Sequence, residues 1–359
     1  MDQLHDALDL LDLLDRPAFC VKDGTIVKTN PAAAGYMIET GTPVLNILQI
    51  GQDEYAAFSG GCLYLTLSVA DQEYGASVTR MQDYHIFCIE QDSDNRELQA
   101  MALAAQELRG PLSTVMITAD RLFPLTGSDG KTDENAARLN RGLLQMLRVI
   151  GNMSDAILYA TTTADRQSVQ DLSSIMAEIF EKAVTLSDHT GIRLTYEGLP
   201  GPIYSLADPE KLERAVLNIL SNAYKFTPAG GTIQAKLSRQ GSKLYLTIQD
   251  NGSGIASQLR GTVFSRYTRG AAIEDDRFGI GLGMVLIRSA AALHGGTVLI
   301  DQPEDAGIRV TMSLSIRNSR DMQIHSQIRR IDRCGGHDRA LVELSNVLPP
   351  DLYQPEEKF

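Results

Sequence analysis

Leu217-Asn218-Ile219-Leu220-Ser221-Asn222-Ala223-Tyr224-Lys225-Phe226-Thr227-Pro228 is the stretch on which the fold turns. It reads as the middle and end of a helix, with Leu217, Ile219 and Leu220 on its apolar side. Asn218 and Asn222 are four apart and share a face, and Lys225 follows three later on it. Two carboxamides and an ammonium on one stripe cost free energy if buried unpaired. They suit a triphosphate with its Mg²⁺, an ion that takes oxygen ligands and can share an Asn carbonyl with phosphate oxygens and waters. By itself such a stripe is more often a solvated helix face.

Three further pieces follow in order. Asp250-Asn251-Gly252-Ser253-Gly254-Ile255 comes after an alternating strand at Leu244–Ile248. Val263-Phe264-Ser265-Arg266-Tyr267 is an aromatic-basic cluster. Gly279-Ile280-Gly281-Leu282-Gly283-Met284 opens a helix that ends at His294-Gly295-Gly296. Met284 stands where a dinucleotide fingerprint requires its third glycine, and no Gly-Lys-Ser/Thr makes a P-loop. With these four motifs in order over about residues 170–316, the sequence resembles the ATP-binding domain of sensor histidine kinases. The wider group includes Hsp90, gyrase B and MutL.

The resemblance implies an α/β sandwich, a mixed sheet with helices on one face, and a role for each motif. Asp250 would accept a hydrogen bond from the adenine amino group; the bland alternative is an Asp-Asn-Gly turn. Gly252 and Gly254 would let the backbone approach the base, with Ile255 beside them. Phe226 would pack on the adenine face, although alone it reads as core. Asn222 would hold Mg²⁺, with Asn218 beside it and Lys225 near the phosphates. Gly279, Gly281 and Gly283, with Leu282 and Met284 in the same box, would open a helix whose amides attract phosphate. Phe264 would anchor a lid over about 257–278. Arg266 and Arg269 would reach the γ-phosphate or simply be solvated. ATP-hydrolysing relatives place a Glu four residues before the metal-binding Asn to activate water. This chain has Asn218 there, which disfavours a gyrase-like or Hsp90-like ATPase.

Upstream, Leu98, Met101, Ala105, Leu108, Leu112, Val115, Ala119 and Leu122 alternate three and four apart. A second seam runs through Leu139, Leu143, Met146, Ile150, Met153, Ile157 and Ala160. Joined by a loop with Gly127, Asp129 and Gly130, they predict an antiparallel hairpin. One partner helix cannot cover either stripe, so two hairpins would form a four-helix bundle in a homodimer. Within the first helix, Gln106-Glu107-Leu108-Arg109-Gly110-Pro111-Leu112 resembles the phosphoacceptor box of histidine kinases, with Gln106 where the family has His. An imidazole nitrogen can attack a γ-phosphorus; a carboxamide is a very poor nucleophile. Glu107 matches the family's adjacent acid, the one catalytic candidate here. Gly110 replaces the family's Thr or Asn, and Pro111 should kink the helix. The other histidines offer no substitute: His5 and His85 are N-terminal, His189 precedes a loop glycine, His294 ends a helix, and His325 and His337 are in the tail.

Residues 1–92 read as two strands (Ala18–Val21, Thr25–Lys28), short helical pieces to about Phe58, and three strands (Cys62–Ser68, Tyr74–Thr79, His85–Ile89). This order resembles a PAS-type sensor module; a domain that only dimerises fits equally. The expected fold class is thus α+β multidomain: a PAS-like domain at 1–92, a dimerisation hairpin at 93–163, an α/β sandwich ATP-binding domain at 164–317 and a tail at 318–359. Residues 161–170 would be the hinge, and Leu341, Leu344 and Leu348 in the tail share one side of a short helix.

The 359 residues, 43% of them hydrophobic, allow two or three domains, and a net charge of −12 disfavours a nucleic-acid surface. Cys20, Cys62, Cys88 and Cys334 have no metal spacing and read as reduced thiols. No apolar run approaches the ~18–20 residues of a membrane helix. Met1–Asp15 is acidic, unlike a signal peptide. The expectation is a cytoplasmic two-component sensor histidine kinase homologue that binds ATP with Mg²⁺ and does not autophosphorylate at residue 106. Its partners would be a second copy and a response regulator or partner histidine kinase. The alternative is a regulatory pseudokinase, a binding module that docks either one. An anti-sigma-type Ser/Thr kinase is disfavoured by the heptad hairpin.

Overall fold

Asp23-Gly24, with φ of 50° and 75°, folds the alternating strands Ala18–Lys22 (β1) and Thr25–Thr29 (β2) into a hairpin. The structure is a computed structural model describing residues 8, 11–90, 93–122, 130–161, 167–255, 264, 282–303, 307–317 and 337–354. Asn30 caps the 3-10 turn Pro31–Tyr36. Leu48–Ile50 (β3) and the short helix Gln52–Ala56 (α1) lead to Cys62–Val69 (β4), Gln72–Met81 (β5) and Tyr84–Ile89 (β6). Two strands, short helical pieces and three long strands follow the order read from the sequence, with β3 added. Phe19 and Phe87, both fully buried, stack at 4.6 Å in the centre.

Ser93–Leu122 (α2) and Gly130–Thr161 (α3) pack along each other. Ala105, Leu112 and Ala119 of α2 and Leu143, Leu147 and Ile150 of α3 are buried. The alternate seam positions, Leu108, Val115, Leu122, Leu139 and Met146, are about half exposed. The helix α2 continues through Pro111.

Beyond the hairpin come Ser168–Asp171 (β7), Leu172–Ser187 (α4), Arg193–Glu197 (β8), Tyr204–Ala207 (β9) and Pro209–Phe226 (α5). Thr232–Gln240 (β10), Lys243–Asp250 (β11), Gly283–Leu293 (α6), Val298–Asp301 (β12) and Arg309–Ser315 (β13) complete the unit. The sheet runs β12-β13-β11-β10-β8, antiparallel except for the parallel β10–β8 pair. Every second residue is buried along β11 and, as far as Leu237, along β10, which is the pattern of a sheet covered on one face. Met176, Phe180, Leu212, Val216, Leu220, Ile287 and Ala291 of the helices share one core with Leu237, Leu246, Ile248 and Met312 of the strands. This is an α/β sandwich. Part of the expected hinge is a strand instead: β7 pairs with β9. At four residues, three of them polar, it has too short a period to read.

Two arrangements are absent from the local pattern of the sequence. First, β4 pairs antiparallel with β12, Cys62↔Ile300 through Tyr64↔Val298, so the N-terminal sheet and the sandwich sheet are continuous. Gly61, at φ 87°, permits this approach, since a Cβ there would run into the carbonyl of Ile300. Second, the tail folds back: Asp338 caps Arg339–Glu343 (α7), and Leu344, Leu348 and Tyr353 are buried across α3 and α5.

Candidate nucleotide-binding site

The site is built on α5. Asp208 caps it, accepting from the Lys211 amide at 3.2 Å, with Pro209 in the first turn. The Asp208 amide donates to Nε2 of His294 at 3.0 Å, which leaves the ring proton on Nδ1, 2.7 Å from the Ala290 carbonyl. His294 thus ties the end of α6 to the start of α5. Burial pushes its pKa down to about 4 from 6.5. A neutral buried His contributes its full stability above pH about 6.5. That contribution falls away as the pH drops towards about 4, where the folded state must also take the proton. It is on the order of 3 kcal/mol. Denaturant midpoints measured between pH 7 and pH 4 are expected to fall, and to fall less in His294→Gln. Equal slopes in the two proteins would show that His294 is not the group responsible.

Along α5, Asn218 is 2% exposed. Its Nδ2 donates to the Arg214 carbonyl at 2.9 Å and lies 3.5 Å from Oε2 of Glu343 in the tail. A Cβ on Gly283 would sit 3.0 Å from Asn218 Oδ1, so the start of α6 abuts α5 at this turn. Asn218 is thus packed between these groups, and Asn222, one turn on, is half-buried. Lys225 Nζ lies 5.0 Å over the Phe226 ring, and Phe226 is 40% exposed rather than core.

The Asp250 loop closes on the end of this helix. Asp250 is 6% exposed, and its Oδ1 accepts from the amides of Gly252 at 2.8 Å and Ile308 at 3.1 Å. Burial raises its pKa, opposed by those two amide bonds. The Asp-Asn-Gly turn is thus present, with a buried carboxylate in it. A Cβ on Gly252 would collide with the carbonyl of Phe226, so the close approach this glycine serves is to α5. Gly254, at φ 74°, packs against Gln302, and Ile255 is half-buried. Leu282 and Phe264 are each 2% exposed, and Met284 packs against the main core. Arg266, Arg269, Gly279 and Gly281 lie outside the described residues, as does the lid except Phe264. Among the described residues no cluster of His, Cys, Asp or Glu could hold a metal. The donor set would fit Mg²⁺ only as an ion arriving with phosphate oxygens, to which the Asn222 carbonyl could add one ligand. Gln106 and Glu107 are exposed on α2.

A buried charge cluster had no signal in the sequence. Glu343 Oε1 is 3.1 Å from Nε of Arg214 and Oε2 is 3.3 Å from Nε of Arg148; Arg214 also pairs with Asp155. It joins α3, α5 and the tail, across up to 195 positions of chain.

Residues 207–318 match the family described as histidine kinase-, DNA gyrase B-, and HSP90-like ATPase. The chain carries a domain of this family and is a homologue of sensor histidine kinases. Sensor histidine kinase TmoS of Ectopseudomonas mendocina is 28% identical over 227 residues, 62% of this chain and 23% of that protein. Histidine protein kinase DivJ of Caulobacter vibrioides is 29% identical over 62% of this chain and 40% of its own length. Adaptive-response sensory kinase SasA of Synechocystis is 26% identical over 68% and 67%. The chain therefore spans well under half of the first two relatives. Among solved structures, full-length ShkA in complex with AMPPNP aligns with 62% of this chain and 47% of its own, at 21% identity and a TM-score of 0.49. In this histidine kinase homologue, no helix among the described residues is long and apolar enough to cross a membrane.

Proposed function

We propose that this histidine kinase homologue binds Mg-ATP and acts in two-component signalling in the cytoplasm without autophosphorylating at residue 106. The observation that carries the reading is a convergence on α5. The Asp250 loop packs on its C-terminal end, and the start of α6 packs on Asn218 one turn before Asn222. Adenine is placed by Asp250, whose two amide bonds fall on Oδ1, with Oδ2 meeting the base amino group. Ile255, Leu282 and Met284 border the site, and Phe226 covers the base. Lys225 and the amides at Gly283 face the phosphates, as would Gly279, Gly281 and Arg266. Asn222 holds Mg²⁺ and Phe264 anchors the lid. The bound metal supplies charge neutralisation along the phosphates; the chain's residues bind and orient.

At the acceptor position Gln106 lacks a nucleophilic nitrogen lone pair, and Glu107 has no imidazole to orient. The protein then works through ATP-dependent conformation, or by phosphorylating a partner histidine kinase or response regulator. The half-exposed residues Leu108, Val115, Leu122, Leu139 and Met146 support the homodimeric bundle, and light scattering at micromolar concentration should give the mass of two chains. A PAS-like role for the N-terminal unit is supported by its element order.

Incubation with γ-labelled ATP and Mg²⁺, with calorimetry in parallel, tests the proposal. Binding without incorporated label is expected. Gln106→His should then gain acid-labile label above the wild-type background. Label on the wild-type chain would mean another acceptor; absence of binding would remove the nucleotide reading.

A further inference from the structure

The two sheets meet close to the nucleotide site, and the meeting holds an ion pair whose guanidinium is buried and whose carboxylate is partly buried. Arg288 lies on α6, the helix that Gly283 opens, and is 3% exposed. Its Nη1 donates to the Phe264 carbonyl at 2.8 Å, and the same guanidinium pairs with Glu90, just after β6 in the N-terminal unit. Glu90 Oε2 accepts from the Tyr64 hydroxyl at 2.9 Å. Arg288 lies 5.3 Å from the Tyr64 ring centroid, and the Phe264 ring stands 5.6 Å from the same ring. Gly75 on β5 makes room, since a Cβ there would collide with the Tyr64 hydroxyl. A second contact lies at the adenine end. Ser59, Gly61 and Cys62 line a cavity of ≈ 220 Å³ with Ile255 and Ile308, and Ile308 is the residue whose amide binds Asp250. A guanidinium this buried needs a carboxylate. Here the carboxylate comes from the other side of the sheet junction.

We infer that the N-terminal unit is a positioning part of the nucleotide site. Glu90 and Tyr64 hold Arg288, and through it α6 and Phe264, in the arrangement that takes the nucleotide. The inference rests on the Mg-ATP reading above. Glu90 and Tyr64 are positioning residues, acting through Arg288. Reciprocity then requires that nucleotide binding tighten the β4–β12 junction by the factor by which the junction tightens nucleotide binding.

The test uses the full chain and a non-hydrolysable ATP analogue with Mg²⁺. Calorimetry on wild type, Glu90→Gln and Tyr64→Phe should give a Kd raised on the order of tenfold for Glu90→Gln, and in the same direction but less for Tyr64→Phe. Amide exchange over residues 62–64 and 298–300 should slow when the analogue binds wild type, a readout that a merely structural contact would not move. The protection should be smaller in the variants. Variants that bind within twofold of wild type, or wild-type exchange at the junction indifferent to nucleotide, would overturn the inference and leave the nucleotide reading intact. A wild-type chain that binds no analogue would overturn both. Should Glu90→Gln fail to fold, Tyr64→Phe and the wild-type exchange decide, since removing one hydroxyl keeps the ring packing and the ion pair.

Discussion

Asp250→Asn is expected to weaken Mg-ATP binding by about 100-fold, read by calorimetry. The side chain keeps its size, and a carbonyl oxygen can still accept from Gly252 and Ile308. The other position turns from an acceptor into an NH₂ donor that faces the adenine amino group. A hydrogen bond to a charged group contributes roughly 1.5–3 kcal/mol, and opposing two donors in a buried place adds to the loss. Each ~1.4 kcal/mol is tenfold in affinity. Discrimination against GTP should collapse at the same time. An affinity unchanged in Asp250→Asn would mean that the carboxylate serves only the turn, the bland reading of the same residues. The folded state itself should be little affected, because both amide bonds to Oδ1 survive.

Glu343→Ala should destabilise the whole chain by about 3–5 kcal/mol, the usual cost of stranding one partner of a buried pair. Glu343 is 2% exposed and binds both Arg214 and Arg148. Arg214 retains Asp155 and the Asn152 side-chain oxygen Oδ1 at 2.5 Å, and Arg148 retains the Ser221 hydroxyl at 2.9 Å. Asp155 would then answer Arg214 alone, and the Arg148 guanidinium would lose its ion pair with Glu343. The same substitution should release the tail from α3 and α5, so limited proteolysis should clip residues after 336 earlier than in wild type. The tail has further anchors, Arg339 to Glu210 and Glu213 and Arg141 to the Ser345 carbonyl, and these set the size of the effect. A denaturant midpoint within error of wild type would show that the cluster is already strained and contributes nothing net.

How much could be read in advance varied with range. The helix α5 and the alternating strand β11 follow from periods inside single segments, and they appear where the residues place them. A structural role for His294 was readable from its place in His-Gly-Gly; its neutrality follows only from its burial. The strand β7 was not readable, because four residues with polar alternates give no period. Phe226 could be read as core or as surface; only its position at the exposed end of α5 takes it out of the core. Asn218 and Asn222 look equivalent on one helical stripe. They part company because α6 and the tail close over one turn and leave the next half open.

The sequence by itself determined the helices of the hairpin and the strands and helices of the α/β unit, since helix periodicity and strand alternation are local properties; the sandwich was implied by the resemblance that the motif order carries. It also places a glutamine at residue 106, from which the proposed loss of autophosphorylation there follows. Only the tertiary structure decided that β4 extends the sandwich sheet at β12, that Glu90 reaches Arg288 and that Glu343 bridges Arg214 and Arg148. Strand edges pair through backbone groups that every residue carries, and buried charges find partners across large chain separations. Neither leaves a mark in the local pattern of the residues that take part.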